Sequence, residues 1–494
     1  MLYNFVVKHI KANIDELLMQ KFTRRNFTKT IIASAVFAPS FINPSRGSIE
    51  HSDVLVIGAG LSGMNAARTL KSEGYNVRIL EASNRYGGRV MTLNDIEGSP
   101  DAGGLQVGGG YAHFKSLADE MKVDLEPFPA ADTSLCISIG GESVSQKMWA
   151  KSKINKLPEN LKHLPPPFLL SKFIDTTPLG DTLTWLEDSA HNLDISLDQY
   201  LINKGANEEV RRLISVALNT LDINELSALN EIRKYRAYED EKEFGPSKRV
   251  MGGTSRITDA LAVSLSNEIH KNKPVKLIEF QGNKYVITCK NGERYSSNTL
   301  IIAIPFSALR HVNFAPSLPP NIQKIINNIG YAPVTAYFLK VKKPFWEEDG
   351  LGVNMWSDGL TERIFTLDDR KGGNNQILWG LINGRKAIEF DRIPNEQQKK
   401  VLMEEIFKIR PSAQGNLEHL HIHSWSKSPY SAGAWSYWKP GQIKNLAPEL
   451  IKNSFKNHPG LFFAGEHMAK FSAGMEAACA SGSRAAFEVI DFTS

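Results

Sequence analysis

The chain has 494 residues, too many for one hydrophobic core, so two or three domains are expected. Its 42% hydrophobic and 22% charged residues are ordinary for a globular protein, and its net charge of +5 is spread among interleaved acids and bases, which argues against nucleic-acid binding. The 3 cysteines, Cys136, Cys289 and Cys479, lie far apart and outside any CxxC or Cys/His cluster, so neither a disulfide framework nor a metal site is expected.

Residues 1–46 read as a leader. Thr23-Arg24-Arg25-Asn26-Phe27-Thr28-Lys29 precedes a short apolar run, Ile31 to Phe37, and resembles a bacterial twin-arginine (Tat) export signal, although Thr28 stands where leucine is preferred. A basic amphipathic helix start is the plainer alternative. The run is too short to span a bilayer, and no A-x-A cleavage site follows, so removal of the leader stays open. The expectation is export to the periplasm of a protein folded beforehand.

The next element is a strand, Asp53 to Ile57, running directly into Gly58-Ala-Gly60-Leu61-Ser62-Gly63. A helical spacing follows to Gly74, then a second strand, Tyr75 to Leu80, ending at Glu81. This is a complete βαβ dinucleotide-binding unit with its acid about twenty positions beyond the loop. Gly58 permits the turn, Gly60 admits the pyrophosphate and Gly63 lets helix meet strand, while the helix N-terminus offers N–H groups to phosphate. Glu81 can accept hydrogen bonds from both ribose hydroxyls, which makes a 2′-phosphate, and hence NADP, unsuitable.

After Glu81 come Ala82, then Arg85-Tyr-Gly87-Gly88-Arg89, and later Asp101-Ala-Gly103-Gly104-Leu105-Gln106. Here the chain resembles the flavin amine oxidase family, which includes monoamine, polyamine and L-amino-acid oxidases. By that resemblance the dinucleotide is FAD, and Arg89 with the Gly103 to Gln106 backbone lies along its pyrophosphate and ring. In the middle of the chain, Met251 to Arg256, the strand at Val275, the Asn291-Gly292 hairpin and the strand Thr299 to Ile304 match the family's second cofactor-domain segment, in which Val275 contacts the adenine. Near the end, Gly460 to Gly465, Glu466 and the small-residue helix opened by Gly474-Met475-Glu476 match the third. There Glu466 approaches the ribityl and pyrophosphate region, and the helix N-terminus faces the flavin pyrimidine edge. His467 reads as a packed or exposed histidine without a catalytic role.

The substrate side is expected from a helical cover, residues 131–242, and an α+β segment, 311–440. Trp346, Trp356 and Trp379 read as core. Trp425-x(4)-Tyr430-Ser431-x-Gly433-Ala434-Trp435 resembles the family segment beside the flavin. Ala434 stands where monoamine oxidases carry the cysteine that bonds the flavin, which implies non-covalent FAD. Trp435 matches one wall of the aromatic cage for the amine, and Gly474 leaves the other wall empty. Gln106 falls where L-amino-acid oxidases place the arginine for the substrate carboxylate, so α-amino acids are disfavoured. The family's flavin-facing lysine, tied to oxygen reactivity, aligns with Thr335 or Ala336, and Thr335 is taken as the catalytic-face position.

The expectation is therefore an α/β protein: a Rossmann-like FAD domain assembled from residues 47–130, 243–310 and 441–494, with an α+β substrate domain and a helical cover. Its reaction is oxidation of an amine C–N bond by hydride transfer to the flavin, giving an imine that hydrolyses. Oxygen or a periplasmic carrier, as in Tat-bearing nicotine oxidoreductase-like members, accepts the electrons, and a homodimer is open to it. The rival readings are C–C desaturation of a larger apolar substrate and a flavin-binding partner without turnover.

Overall fold

The computed structural model describes residues 49–494, apart from 129–132, 217, 369, 371–376, 453–454, 456 and 471–472, so the leader lies outside the described residues. The strand Glu50–Ile57 is apolar on both faces from Val54 onward, as a central parallel strand must be. It pairs in parallel with Val77–Leu80 on one side and with Arg294–Ile302 on the other. Leu461–Phe463 adds to Arg294–Ile302, again in parallel, and so brings the end of the chain into the same sheet. The helix Leu61–Ser72 buries Met64, Ala67 and Leu70 beneath this sheet.

The C-terminal helix Gly474–Thr493 lies against Leu61–Ser72, and its small residues have a physical cause. A Cβ on Gly482 would stand 2.4 Å from the Ser62 carbonyl oxygen. The two helices can approach this closely only because that position is bare.

The second sheet has seven strands, in the order Leu417–Ser424, Val334–Val341, Ile377–Asn383, Arg363–Leu367, Asn354–Ser357, Leu135–Ile139 and Glu142–Ser145. One face, with Tyr337, Leu339, Ile364 and Leu378, packs on Ala387, Phe390, Leu402 and Ile406 of the helices Gly384–Asp391 and Asn395–Ile409. The other, with Ala336, Phe338, Leu381 and Trp356, joins the cluster that holds Trp425 and Ala434. That second face looks toward the site described below.

Two expectations about segments need correction. Within the stretch read as helical cover, Leu135–Ile139 and Glu142–Ser145 form a hairpin on the edge of the substrate sheet, turned by Gly140 and Gly141 at positive φ. Asn313–Ala315, assigned to the substrate segment, pairs with Val275–Gln281 of the cofactor sheet. The cover itself includes Leu197–Asn203, Glu208–Ser215 and Ala228–Glu241. Among the described residues no helix is long and apolar enough to cross a membrane, and no acid, histidine and cysteine cluster could hold a metal.

Candidate cofactor and active site

A cleft of about 430 Å³ opens over the C-terminal ends of the parallel strands. Glu81, Lys273, Pro274 and Val275 wall one part of it, and Trp425, Trp435, Gly474 and Met475 another. Gly58, Gly60, Leu61, Ser62, Ala82, Gly88, Arg89, Gly103, Gly104, Gln106, Ala434 and Glu466 also line it. The glycines act for different reasons. Gly58 sits at φ +105°, and a Cβ there would lie 2.7 Å from Ile304 Cγ2. A Cβ on Gly63 would stand 2.1 Å from the Gly58 carbonyl oxygen, so Gly63 supports the loop from behind and does not itself line the cleft. A Cβ on Gly60 would meet no protein atom within 4 Å; it would project into the cleft, the space a pyrophosphate has to fill. No side chain caps the helix that follows Gly60, which leaves its first N–H groups for a ligand.

Glu81 is buried and fixed by the loop it serves. Its Oε2 accepts from the Ala59 N–H at 2.8 Å, and its Oε1 accepts from the Ser83 N–H and hydroxyl, each at 2.8 Å. The lone pairs left over are free to accept from ribose hydroxyls. Across the cleft, Arg89 donates through Nη1 to Glu466 Oε1 at 2.8 Å and to the Ala434 carbonyl at 3.0 Å. Glu466 also accepts from the Ser436 N–H and hydroxyl. Burial alone would raise the Glu466 pKa, but the Arg89 charge and these donors bring it below the ordinary carboxylate value. One cation thus joins the Gly88-Arg89 turn to two distant segments. The glycine cradle, the bound acid and the basic wall together fit an FAD dinucleotide.

The D-x-GG segment is held by its acid. Asp101 is buried and accepts from the Thr92 hydroxyl at 2.6 Å and from the Thr254 N–H and hydroxyl at 3.0 Å, with Arg370 as its counter-ion. This ties Gly103 and Gly104 to the Met251–Arg256 turn. Gly103 must be bare because a Cβ would come within 2.8 Å of the Trp425 ring, whose Nε1 donates to the Ala102 carbonyl.

Four of the expected positions, Gly63 and three more, do not line the cleft. Glu476 is a helix cap: its oxygens accept from the His113 and Phe114 N–H groups at 3.0 and 2.9 Å, at the start of Ala112–Glu120. Thr335 is fully buried on the opposite face of its strand, where its hydroxyl donates to Asp391 Oδ1 at 2.8 Å. Its neighbour Ala336 occupies the cleft-facing side, so no ammonium is present at that position. Leu105 does not line the cleft, and Gln106, although it does, is exposed and donates to the Ser247 hydroxyl at 2.7 Å.

Other residues of the site were not anticipated. Tyr111 lines the cleft, with its hydroxyl 3.4 Å from where a Cβ on Gly474 would be, so it occupies space beside the position read as an empty wall. The signal was Gly108-Gly109-Gly110, bare because Glu241 and Gly245 pack directly on them. Asn219 accepts through its backbone carbonyl from Trp435 Nε1 at 3.1 Å and fixes that ring. Trp435 itself is half-buried at the cleft wall.

His467, beside Glu466, is buried against the Phe306 ring at 4.2 Å, and neither ring nitrogen has a partner among the described residues. Burial, partly countered by Glu466, lowers its pKa from 6.5 to about 4. The unfolded chain therefore takes up the proton first as pH falls: the contribution is complete above pH 6.5 and lost toward pH 4. His423 is lowered to about 4 in the same way. Urea denaturation should show stability falling between pH 6.5 and 4, and His467→Phe should make that slope shallower; an unchanged slope would count against the assignment.

The family model described as flavin containing amine oxidoreductase matches residues 61–490. Amine oxidase [flavin-containing] B of Homo sapiens is 26% identical over 465 residues, covering 89% of this chain and 86% of that protein. The probable flavin-containing monoamine oxidase A of Dictyostelium discoideum is 26% identical over 460 residues, covering 89% and 97%. Among solved structures, the fold is shared with cyclohexylamine oxidase from Brevibacterium oxydans IH-35A, at TM-score 0.72 and 23% identity over 89% of this chain and 99% of that one. Wild-type putrescine oxidase bound to putrescine matches at TM-score 0.72 and 20% identity, with coverage of 89% and 99%.

Proposed function

Because the chain belongs to the flavin-containing amine oxidoreductase family, whose members oxidise amines with FAD, we propose that it oxidises the C–N bond of a neutral amine seated against Trp435, with FAD held non-covalently. When bound, FAD supplies the two-electron acceptor for a hydride from the substrate α-carbon, and the resulting imine hydrolyses in water. The chain's own residues bind, orient and exclude. Trp435, fixed by Asn219, provides a flat wall against which the α-carbon can be aligned. Neutral amine is favoured on this side. Among the described residues the acids lining the cleft are Glu81 and Glu466, and both are engaged at the cradle. An ammonium group therefore finds no counter-ion beside Trp435, and kcat/KM should rise with pH until the free substrate amine is deprotonated.

The observation that carries this reading is Trp435 in the wall of the same cleft as the Gly58 loop. Trp435→Ala is expected to lower kcat/KM for amines by about 10- to 100-fold while leaving FAD content unchanged; equal activity in the variant would remove the residue from the site.

Non-covalent binding is supported by Ala434 in the cleft wall and by the burial of Cys136, Cys289 and Cys479 away from the cleft. Acid precipitation should release all the flavin into the supernatant, and flavin that stays with the pellet would contradict it. Ala336 on the cleft face supports an electron carrier over oxygen as acceptor, so reoxidation should be faster with cytochrome c or a quinone than with oxygen. The Arg24-Arg25 pair supports Tat export, which Arg24→Lys with Arg25→Lys should block in a cell fractionation.

A further inference from the structure

We propose that the Tyr111 hydroxyl donates a hydrogen bond to the flavin ring beside the N-terminus of the helix Gly474–Thr493, and that this donor raises the reduction potential of the ring. This rests on FAD occupying the cleft, and not on which amine is oxidised.

The two parts of the cleft wall suit the two ends of a dinucleotide. Glu81, with lone pairs free for ribose, stands in one part with Lys273 and Val275. A dinucleotide that starts there and crosses the Gly58 loop carries its ring to the other part, walled by Trp425, Trp435, Gly474, Met475 and Tyr111. The indole and amide donors on that side are spent within the protein. Trp425 Nε1 donates to the Ala102 carbonyl, Trp435 Nε1 to the Asn219 carbonyl and Gln106 Nε2 to the Ser247 hydroxyl. The Tyr111 hydroxyl has no hydrogen-bond partner among the described residues. It is the nearest atom of another element, at 3.4 Å, to where a Cβ on Gly474 would stand. Gly474 has φ +61°, a conformation that strains any side chain, so the helix presents bare backbone beside the phenol.

The phenol is held there from two directions. A Cβ on Gly108 would stand 2.8 and 2.9 Å from Tyr111 Cε1 and Cδ1, so the ring packs directly on bare backbone. Tyr111 also immediately precedes the helix Ala112–Glu120, whose His113 and Phe114 N–H groups are held by Glu476. Glu476 belongs to the first turn of Gly474–Thr493, which ties the phenol to that helix end. No side chain caps the end, so its first N–H groups are donors as well. Burial, followed by the nearby Glu241, Tyr238 and Glu476, raises the phenol pKa above its ordinary value of 10, so the hydroxyl keeps its proton and can donate. The reaction uses such donors. Hydride transfer brings two electrons and one proton to a neutral oxidised ring and leaves the amine as an iminium cation; the ring gains one negative charge, spread over its pyrimidine carbonyls. Donors fixed at those oxygens hold the reduced form more tightly than the oxidised one.

Tyr111→Phe removes one oxygen and keeps the ring on Gly108. In the FAD-loaded variant the two-electron midpoint potential, read by anaerobic titration against dyes of known potential, should fall by about 30 mV, which is a tenfold change in equilibrium constant. The Kd for sulfite, which adds to oxidised flavin to give an anionic adduct, should rise about tenfold. Both readings come only from flavin-bearing molecules, so partial loss of FAD does not mask them. A lowered thermal midpoint with an unchanged potential would assign Tyr111 to packing and overturn the proposal. An unchanged potential with a raised KM for amines would place the phenol on the substrate and overturn it too. Protein that takes up no FAD overturns both the proposal and the cofactor reading beneath it. A flavin that shows the expected shift but is reduced by no amine supports the proposal and counts against amine oxidation alone.

Discussion

Gly60→Ala is expected to yield a folded protein that has lost most of its FAD, whereas Gly63→Ala should lose both FAD and stability. The difference follows from what a single methyl group meets. At Gly60 it would meet no protein atom within 4 Å, so the chain folds around it and only the pyrophosphate is displaced. At Gly63 it would stand 2.1 Å from the Gly58 carbonyl oxygen and 3.1 Å from Ala303 Cβ, which forces helix and strand apart. Such overpacking costs on the order of 1–3 kcal/mol or more. Flavin content after gel filtration and urea midpoints of the two apoproteins separate the cases. Equal stability in both would show that the loop relaxes freely, and full flavin content in Gly60→Ala would show that the dinucleotide does not cross it.

The second large effect is at the Arg89–Glu466 pair. Removing Arg89 with Arg89→Met leaves a buried carboxylate that keeps only the Ser436 donors, and breaking such a pair costs about 3–5 kcal/mol. The folded pKa of Glu466 lies below its ordinary value, so the pair stabilises the fold above that value and the contribution is lost as pH falls. Arg89→Met should therefore be most destabilised near neutral pH and approach the wild type in acid. The double variant Arg89→Met with Glu466→Gln should recover part of the loss, because no charge is left unpaired. Strict additivity of the two single changes in urea denaturation would contradict the coupling.

The cradle was legible in the sequence because its physics is local. A turn needing positive φ, a bare approach to phosphate and an acid closing the second strand are all written within about thirty residues. Long-range register was not legible. Thr335 and Ala336 are adjacent in sequence, and a shift of one residue exchanges the face of a strand that points to the cleft with the face bonded to Asp391. Glu476 was ambiguous for a different reason. An acid in a first helical turn has the same sequence signal whether it meets a ligand or caps a neighbouring helix, and here it caps Ala112–Glu120. Asn219 carried no signal at all, since its meeting with Trp435 depends on the cover folding over the cleft. Trp356 and Trp379 were read as core. Trp356 is buried in the core cluster and Trp379 packs against it, as that reading requires.

The measurement that tests the account most directly is a single anaerobic turnover of the FAD-loaded protein with an amine, read by flavin absorbance and by assay of the products. The expected result is bleaching of the oxidised flavin band with one equivalent of ammonia and of carbonyl product per flavin, faster at higher pH and slowed by Trp435→Ala. Flavin that stays oxidised across a broad panel of amines, or that bleaches without release of ammonia or a shorter amine, would contradict it.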